Sequence, residues 1–275
     1  MKNNELKTYD FIEGANFDGL MPKAANKIGL IGGSSVSVKH HGFDAKGVDA
    51  LEVADINGIW ENDVTNEEPE VNVEPDFTQN EVILTSDYAP ATPVIINGNE
   101  TNVNLNGNKV IAPIFAESNG EVVEGDSDSY GFWIKDGSLT IEGDGEVIAQ
   151  DANYSMAVWA NGGNVTIKGG IFRNGGDSCD LIYASAGGNV IIEGGEFFPA
   201  GPASGTAPGT KNPYTALNVK DKDYKSGVST IVVKGGKFHN FNPADNVSEG
   251  EHTNFVAEGY KSVEVEPDVW EVMPE

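Results

Sequence analysis

Two closely similar eleven-residue segments decide the fold of this chain: Gly162-GNVTIKGGIF and Gly187-GNVIIEGGEF, which begin 25 residues apart. Two further segments, Ser138-LTIEGDGEV and Ser229-TIVVKGGKF, share the pattern, and Asn102-VNLNGNKV is a weaker copy. A degenerate repeat of about 25 residues is typical of proteins in which supersecondary units stack on one another. Each copy contains one glycine that anchors the alignment: Gly107, Gly143, Gly169, Gly194 and Gly235. These anchoring glycines are separated by 36, 26, 25 and 41 residues, so insertions precede and follow the two regular repeats.

The repeats predict columns of buried side chains. In each copy the residues four and two positions before the anchoring glycine are aliphatic, as in Val165 and Ile167. A spacing of two places such residues on one face of a strand. Stacking the copies predicts two aliphatic columns and one aromatic column, whose central members are Val165, Ile167, Val190, Ile192, Phe172, Phe197 and Phe238.

A short apolar segment precedes most copies, and the Phe residues mark a third strand in each repeat. The prediction is an all-β protein, a right-handed parallel β-helix (β-solenoid), because parallel crossover connections are nearly always right-handed. A β-sandwich of antiparallel hairpins is the alternative, although hairpins would not keep a constant register every 25 residues or so.

The solenoid does not account for the whole chain. Residues 1–60 show none of the repeat and are predicted to be a small attachment module, and the acidic residues 61–80 a linker. The solenoid is expected over residues 81–253, followed by an irregular C-terminal cap over residues 254–275. Residues 117–129 and 199–213 are expected to form surface loops.

Charge excludes several classes of partner. The formal net charge is −26, and Arg173 is the only arginine. Nucleic acid and anionic membrane surfaces both require clusters of basic residues, so neither is expected. No apolar run is long enough to span a bilayer, and no apolar segment follows Met1, so neither membrane insertion nor a secretory signal is predicted. Cys179 is the only cysteine, which leaves no intrachain disulfide.

The search for a site yields binding candidates rather than a catalytic set. Aromatic residues stack on sugar rings, and the candidates for glycan contact are Tyr130, Trp133, Tyr154, Trp159 and Tyr183; packing within the fold is the alternative role for about half of them. Carboxylates that one groove could bring together, as glycoside hydrolysis requires, are Asp126, Asp128, Asp136, Asp144, Asp151, Asp177 and Asp180. Close Asp pairs are expected by chance in a chain with 43 acidic residues, so no catalytic, metal-binding or cofactor-binding residue is predicted.

The two regular repeats, together with the closing segment Asn254-FVAEGYKSVEVEPDVWEVMP, resemble solenoid domains of bacteriophage fibres. The head segment Asn16-FDGLMPKAANKIGLIGGSSVSVK resembles short modules that attach fibres to virions, and the closest setting is a head or tail fibre of crAss-like phages. The resemblance implies a homo-oligomer, a trimer in preference to a dimer, held to other virion proteins through residues 1–60. It also implies synthesis in the host cytoplasm and display on the virion surface.

The expected function is therefore structural: a fibre or capsid decoration that is anchored by its N-terminus and contacts host glycans. One alternative is a polysaccharide-degrading phage spike (a depolymerase), and another is a bacterial cell-surface adhesin.

Overall fold

The computed structural model describes residues 28–29, 35–36, 74–175, 180–200 and 215–275. The chain divides into two units, Met1–Asn72 and Val73–Glu275. In the first unit, strands β1 (Ile28–Gly29) and β2 (Ser35–Val36) pair antiparallel. The rest of the predicted attachment module, most of the linker, Asp177, Cys179 and residues 201–213 of the second predicted loop lie outside the described residues.

The second unit is all-β, and its strands form three sheets. Sheet I contains β3 (Glu81–Ile83), β5 (Asn99–Asn104), β9 (Gly137–Glu142), β12 (Asn164–Ile167), β15 (Asn189–Ile192) and β18 (Thr230–Val233). Sheet II contains β6 (Lys109–Ile111), β10 (Glu146–Ile148), β13 (Ile171–Arg173), β16 (Glu196–Phe198), β19 (Gly236–His239), β20 (Tyr260–Glu266) and β21 (Val269–Pro274). Sheet III contains β4 (Val94–Ile96), β8 (Glu121–Ile134), β11 (Tyr154–Asn161), β14 (Ile182–Ser185) and β17 (Leu217–Val219), and β7 (Phe115–Ser118) pairs with β8.

From β5 to β19 the chain visits the three sheets in the order I, II, III, whereas β3 in sheet I is followed directly by β4 in sheet III. Within each sheet, the strand of one of these repeats pairs with its counterpart in the next. All of these pairings between repeats are parallel. Antiparallel hairpins stacked as a sandwich would not produce this pattern. The three strands in each repeat correspond to the three apolar segments of the sequence.

The register of the strands aligns the aliphatic and aromatic columns. Val165 pairs with Val190, Ile167 pairs with Ile192, and all four side chains are buried. Phe197 lies between Phe172 and Phe238, with ring centroids 5.1 and 4.6 Å away and nearly parallel ring planes. These side chains belong to one continuous hydrophobic core. Gly195, which precedes β16, has φ of +97°, a conformation that only glycine adopts without strain.

The first repeat is offset from the alignment that the sequence suggests. Aligning the anchoring glycines places Val103 beside Leu139, whereas in the structure Val103 pairs with Ile141 and Thr101 pairs with Leu139. A shift of two residues keeps the same side chains facing the core, so the hydrophobic pattern alone does not reveal it.

Both ends of the stack are covered. Within the predicted linker, residues 74–80 belong to the folded unit, because the Phe77 ring packs edge-on against the buried Phe132, with 6.0 Å between ring centroids. At the other end β20 and β21 form an antiparallel hairpin that pairs with β19. The prediction of an irregular C-terminal cap is therefore wrong for residues 260–274, which form two regular strands: Val269 and Val272 of β21 are buried, whereas β20 has no buried residue.

The first predicted loop, residues 117–129, is also mostly strand. Its residues belong to the antiparallel pair of β7 and β8, with a short turn at Asn119 and Gly120. A six-residue helix, α1 (Asp221–Ser226), follows sheet III in the last repeat. No helix in the part of the chain that the structure describes is long and apolar enough to cross a membrane.

Candidate functional site

An aromatic column runs along the outer face of sheet III. In neighbouring strands Trp133 pairs with Trp159, and Trp159 pairs with Tyr183. The residues on either side of each point into the core, so the three rings point away from it. The two indole rings stack with centroids 4.9 Å apart and an interplanar angle of 6°, and the Tyr183 ring follows at 6.2 Å.

A second, small hydrophobic cluster covers the start of this column. Phe115, Tyr130, Trp133 and Met156 are its buried members, and Val122 packs against them. Trp133 has no exposed surface and Tyr130 retains 3%. The prediction that these two side chains are exposed is therefore wrong, because the hairpin of β7 and the first half of β8 supplies Phe115 and Val122 to cover them.

Polar groups hold this hairpin in place. The Tyr130 hydroxyl donates to Asp128 Oδ1 at 2.5 Å, and Asp128 Oδ2 accepts from the Glu117 backbone N–H at 2.9 Å. Burial raises the pKa of Tyr130 far above its usual range, and the hydrogen bond to Asp128 acts in the same direction. The Tyr130 hydroxyl therefore stays protonated and remains a donor.

Lys135 joins the hairpin turn to the column. Its Nζ lies 4.1 Å from the centroid of the Trp133 ring and donates to the carbonyl of Gly120 at 2.5 Å. An ammonium group over an indole face is attracted by the ring quadrupole. The Trp133 Nε1–H itself is buried and has no hydrogen-bond partner in the described part of the chain.

The later part of the column is more accessible. Trp159 and Tyr183 are half-buried, and Trp159 Nε1 donates to Ser185 Oγ at 2.9 Å, which holds its indole ring against the sheet. Tyr154 is 56% exposed and stands at the beginning of β11, in register with Asp128. Of the five predicted contact residues, Trp159, Tyr183 and Tyr154 present surface to solvent.

Two carboxyl groups lie close to Tyr183. Asp180 accepts a 2.6 Å hydrogen bond from the Thr215 hydroxyl, and burial raises the pKa of this carboxyl. Glu249 Oε1 accepts from the Val219 backbone N–H at 2.6 Å, and burial raises the pKa of Glu249 to about 7. Burial and these two carboxylates raise the pKa of Tyr183 to about 12.

The predicted carboxylates occupy different places in the repeat. Asp126 and Asp128 lie within β8, Asp151 and Asp180 lie just before strands of sheet III, and Asp136 and Asp144 lie in turns that follow strands of sheets III and I. These residues therefore do not form one column. Among the described residues no group of three or more His, Cys, Asp or Glu side chains is placed to hold a metal ion.

A ladder of alternating partners crosses the outer face of sheet II. Glu146 accepts from Arg173 Nε at 2.5 Å and forms an ion pair of 3.1 Å with Lys109. The Arg173 guanidinium lies 3.8 Å from the centroid of Phe198, whose ring stacks on His239. These contacts join five successive strands, so the ladder is best explained as reinforcement of the sheet.

Two residues of the column's surroundings were not predicted as site residues. Lys135 follows the Tyr130-GFWI segment by one residue, and a cation next to an aromatic cluster is a detectable signal. Glu249 offers no such signal, because it is one of many acids and lies 66 residues from Tyr183 in the sequence. Taken together, the site has three aromatic rings in register, one covered end and one acidic end.

Comparison with known proteins does not identify this arrangement: no protein-family model, no curated protein and no solved structure matches the chain.

Proposed function

We propose that this protein is a display protein whose second unit is a right-handed parallel β-helix that contacts glycans through the outer face of sheet III. The observation that carries the proposal is the accessible part of the aromatic column, where Trp159 and Tyr183 are in register on neighbouring strands and are only half-buried. Stacked strands lie about 4.8 Å apart, so aromatic residues at the same position of successive repeats form a continuous aromatic strip. The right hand follows from the strong preference of parallel crossover connections.

The charge near the column favours a neutral or amino sugar. Asp128 lies near its first part, and Asp180 and Glu249 lie near its last part. Lys135 is directed to Trp133 and Gly120 rather than to Trp159 or Tyr183. A uronic or sialic acid would meet carboxylates of like charge, and an interaction of this kind opposes binding.

The glycan proposal is tested by binding to a panel of neutral, amino and acidic oligosaccharides, with calorimetry for the best ligand. Trp159→Ala is expected to weaken binding at least tenfold, and Trp159→Phe less, because a phenyl ring retains part of the stacking surface. Tyr224→Ala is the matched control, since Tyr224 is an exposed aromatic residue on α1, outside the column. Equal binding by Trp159→Ala and the natural protein would refute the role of the column.

The setting that we propose is the surface of a virion, with the protein synthesised in the host cytoplasm. There it would act as a fibre or capsid decoration, in a homo-oligomer for which a trimer is favoured. The support is the resemblance of the repeats to phage-fibre solenoids and the net charge of −26, which resists nonspecific adhesion. Residues 1–60 would bind other virion proteins.

Deleting residues 1–72 tests the proposed attachment. The shortened chain retains the second unit, which begins at Val73, and is expected to keep its circular dichroism spectrum and glycan binding. It is expected to be missing from purified particles when it is expressed in place of the full chain. Full occupancy of particles by the shortened chain would contradict the proposed anchor.

Polysaccharide cleavage is a second candidate, favoured by the carboxyls of Asp180 and Glu249 beside Tyr183. A carboxyl whose pKa is raised towards neutrality by burial is suited to act as a general acid. Incubation with capsular polysaccharide followed by measurement of new reducing ends tests this activity. If Glu249→Gln releases reducing ends as fast as the natural protein, Glu249 is excluded as the general acid. If the natural protein releases none from any capsular polysaccharide tested, cleavage is excluded.

A further inference from the structure

We propose that the hairpin of β7 and the first half of β8 is a displaceable cover over a third aromatic subsite, at Trp133, where a neutral sugar ring replaces Lys135 and the hairpin turn. This inference rests on the proposed glycan contact and extends it from Trp159 and Tyr183 to the covered part of the same column. One prediction needs no ligand and does not depend on that function: the hairpin should open without global unfolding of the protein.

The first step is that Trp133 occupies an outward position and is nevertheless fully buried. Its register partners on the outer face are Ile95, which is 39% exposed, and Trp159, which is half-buried. The hairpin supplies part of the cover, since Val122 and Phe115 belong to the cluster around Trp133, together with Tyr130 and Met156 of the sheet. Moving the hairpin and Lys135 would expose the indole face of Trp133 that Trp159 does not cover, because the two rings stack face to face.

The second step is that Trp133 offers an unused donor. Its Nε1–H is buried and has no hydrogen-bond partner among the residues that the structure describes, whereas the equivalent group of Trp159 donates to Ser185. A buried polar group without a partner is unfavourable, and a sugar hydroxyl in contact with the indole would supply an acceptor. This orphaned donor is the observation that points to a ligand, rather than to simple packing of the hairpin.

The pairing within the hairpin is irregular, because Phe115 pairs with Asp128 while Ala116 pairs with Val123, and residues 123–126 are exposed. From Glu117 to Asp128, both included, the hairpin has five acidic residues and no basic one. Lys135 is the amine that faces it from the sheet, through the contact with Gly120.

Hairpin opening is tested without ligand by following the hydrogen exchange of the Trp133 indole N–H by NMR, with Trp133→Phe to assign its signal. Lys135→Met removes the ammonium group and keeps most of the aliphatic side chain. It is expected to raise the exchange rate of the Trp133 indole N–H at least tenfold. Lys135→Arg retains a donor and a cation over the ring and is expected to change the rate less than threefold. The Trp270 indole, at the C-terminal hairpin, serves as the internal reference.

A second variant approaches the cover from the hairpin side. A Cβ atom at Gly125 would lie 2.5 Å from the Cβ atom of Ala116, so Gly125→Val is expected to separate the two strands and to raise the same exchange rate. The proposed cover is refuted if the Trp133 indole N–H exchanges at an unchanged rate in both variants and if its exchange depends on denaturant in the same way as global unfolding.

Binding of cellohexaose and maltohexaose supplies the second measurement. In Lys135→Met at least one of them is expected to bind three- to tenfold more tightly than in the natural protein, because opening the cover no longer opposes binding. Trp133→Phe in the same background is expected to remove that gain. If the natural protein binds through Trp159 and Lys135→Met brings no gain, the cover fails and the glycan function stands. If neither sugar nor the wider panel binds, the glycan function fails and the exchange rates alone decide whether the hairpin opens.

Discussion

Glu249 occupies a position where a charge is unfavourable. Its carboxyl accepts a hydrogen bond from the Val219 backbone N–H at the edge of sheet III, and Oε2 is buried without a hydrogen-bond partner among the described residues. Burial is the main cause of its raised pKa, and Asp221 and Asp180 act in the same direction against the Val219 hydrogen bond and Lys225. The folded protein therefore favours the protonated carboxyl more than the unfolded chain does.

The pH dependence of stability follows from that shift. With a folded pKa of about 7 against an ordinary value of 4.5, the protonated carboxyl favours folding fully below pH 4.5. This contribution is lost as the pH rises towards 7. Glu249→Gln keeps an acceptor for Val219 and removes the charge, so its stability relative to the natural protein is expected to rise by about 1 kcal/mol between pH 4 and pH 8, after allowance for solvent screening. Urea unfolding at several pH values measures the difference, and Glu251→Gln, an exposed neighbour, should show no such trend.

Phe197 and Phe198 are adjacent residues with opposite surroundings. Phe197 is fully buried between two rings, whereas Phe198 lies on the outer face between Arg173 and His239. Phe197→Ala leaves a cavity in the column and is expected to lower the free energy of unfolding by about 3–5 kcal/mol. Phe198→Ala is expected to lower it by about 1 kcal/mol, since it loses contacts at the surface. Similar losses in urea unfolding for the two variants would contradict the difference in burial.

Among the elements, the C-terminal hairpin has the clearest separate role. Sheet II ends its parallel series at β19, whose open edge would present unpaired backbone groups, and β21 covers it in antiparallel register. The exposed edge then passes to β20, which has charged residues such as Lys261 and Glu264. Charged side chains at a sheet edge discourage pairing with a second chain.

Removing residues 259–275 therefore exposes β19 and is expected to cause concentration-dependent association, measured by light scattering after size-exclusion chromatography. A synthetic peptide of residues 259–275 should restore the monodisperse state reached by the full chain, because it can pair with β19 again. A shortened chain that keeps the same mass distribution as the full chain at every concentration would contradict a protective role for the hairpin.

For the molecule as a whole, charge opposes folding. The 43 acidic and 17 basic residues give a net charge of −26, and the ion pairs that the structure describes lie mostly at the surface. Self-repulsion of this size destabilises a compact state and is screened by salt. Raising NaCl from 20 to 300 mM is expected to increase stability by about 1 kcal/mol, or about 2–4 °C in Tm. Sucrose at equal osmolality controls for solvent effects, and a Tm that falls with NaCl would contradict the expectation.

The sequence predicts the parts of the fold that recur and misses those that occur once. Val165 and Val190 are separated by one repeat, and so are Phe172 and Phe197. Their alignment in columns is therefore predictable from the period alone. The hairpin over Trp133 occurs once, and its residues are polar enough to be taken for a loop. The same holds for Glu249, whose place near Tyr183 depends on how the last segment of the chain folds back.

The constant register between β12 and β15 has a consequence for the size of the molecule. Asn164 and Asn189 are direct partners, and Asn189 Nδ2 donates to Asn164 Oδ1 at 3.2 Å. Removing residues 164–188 would join two equivalent points of the backbone, and so would duplicating them. The height of the stack is thus adjustable in steps of one strand spacing, about 4.8 Å, each by an insertion or deletion of a single unit. Lengthening such a protein requires only another copy of an existing repeat, and shortening it requires only the loss of one. Neither change requires a new core.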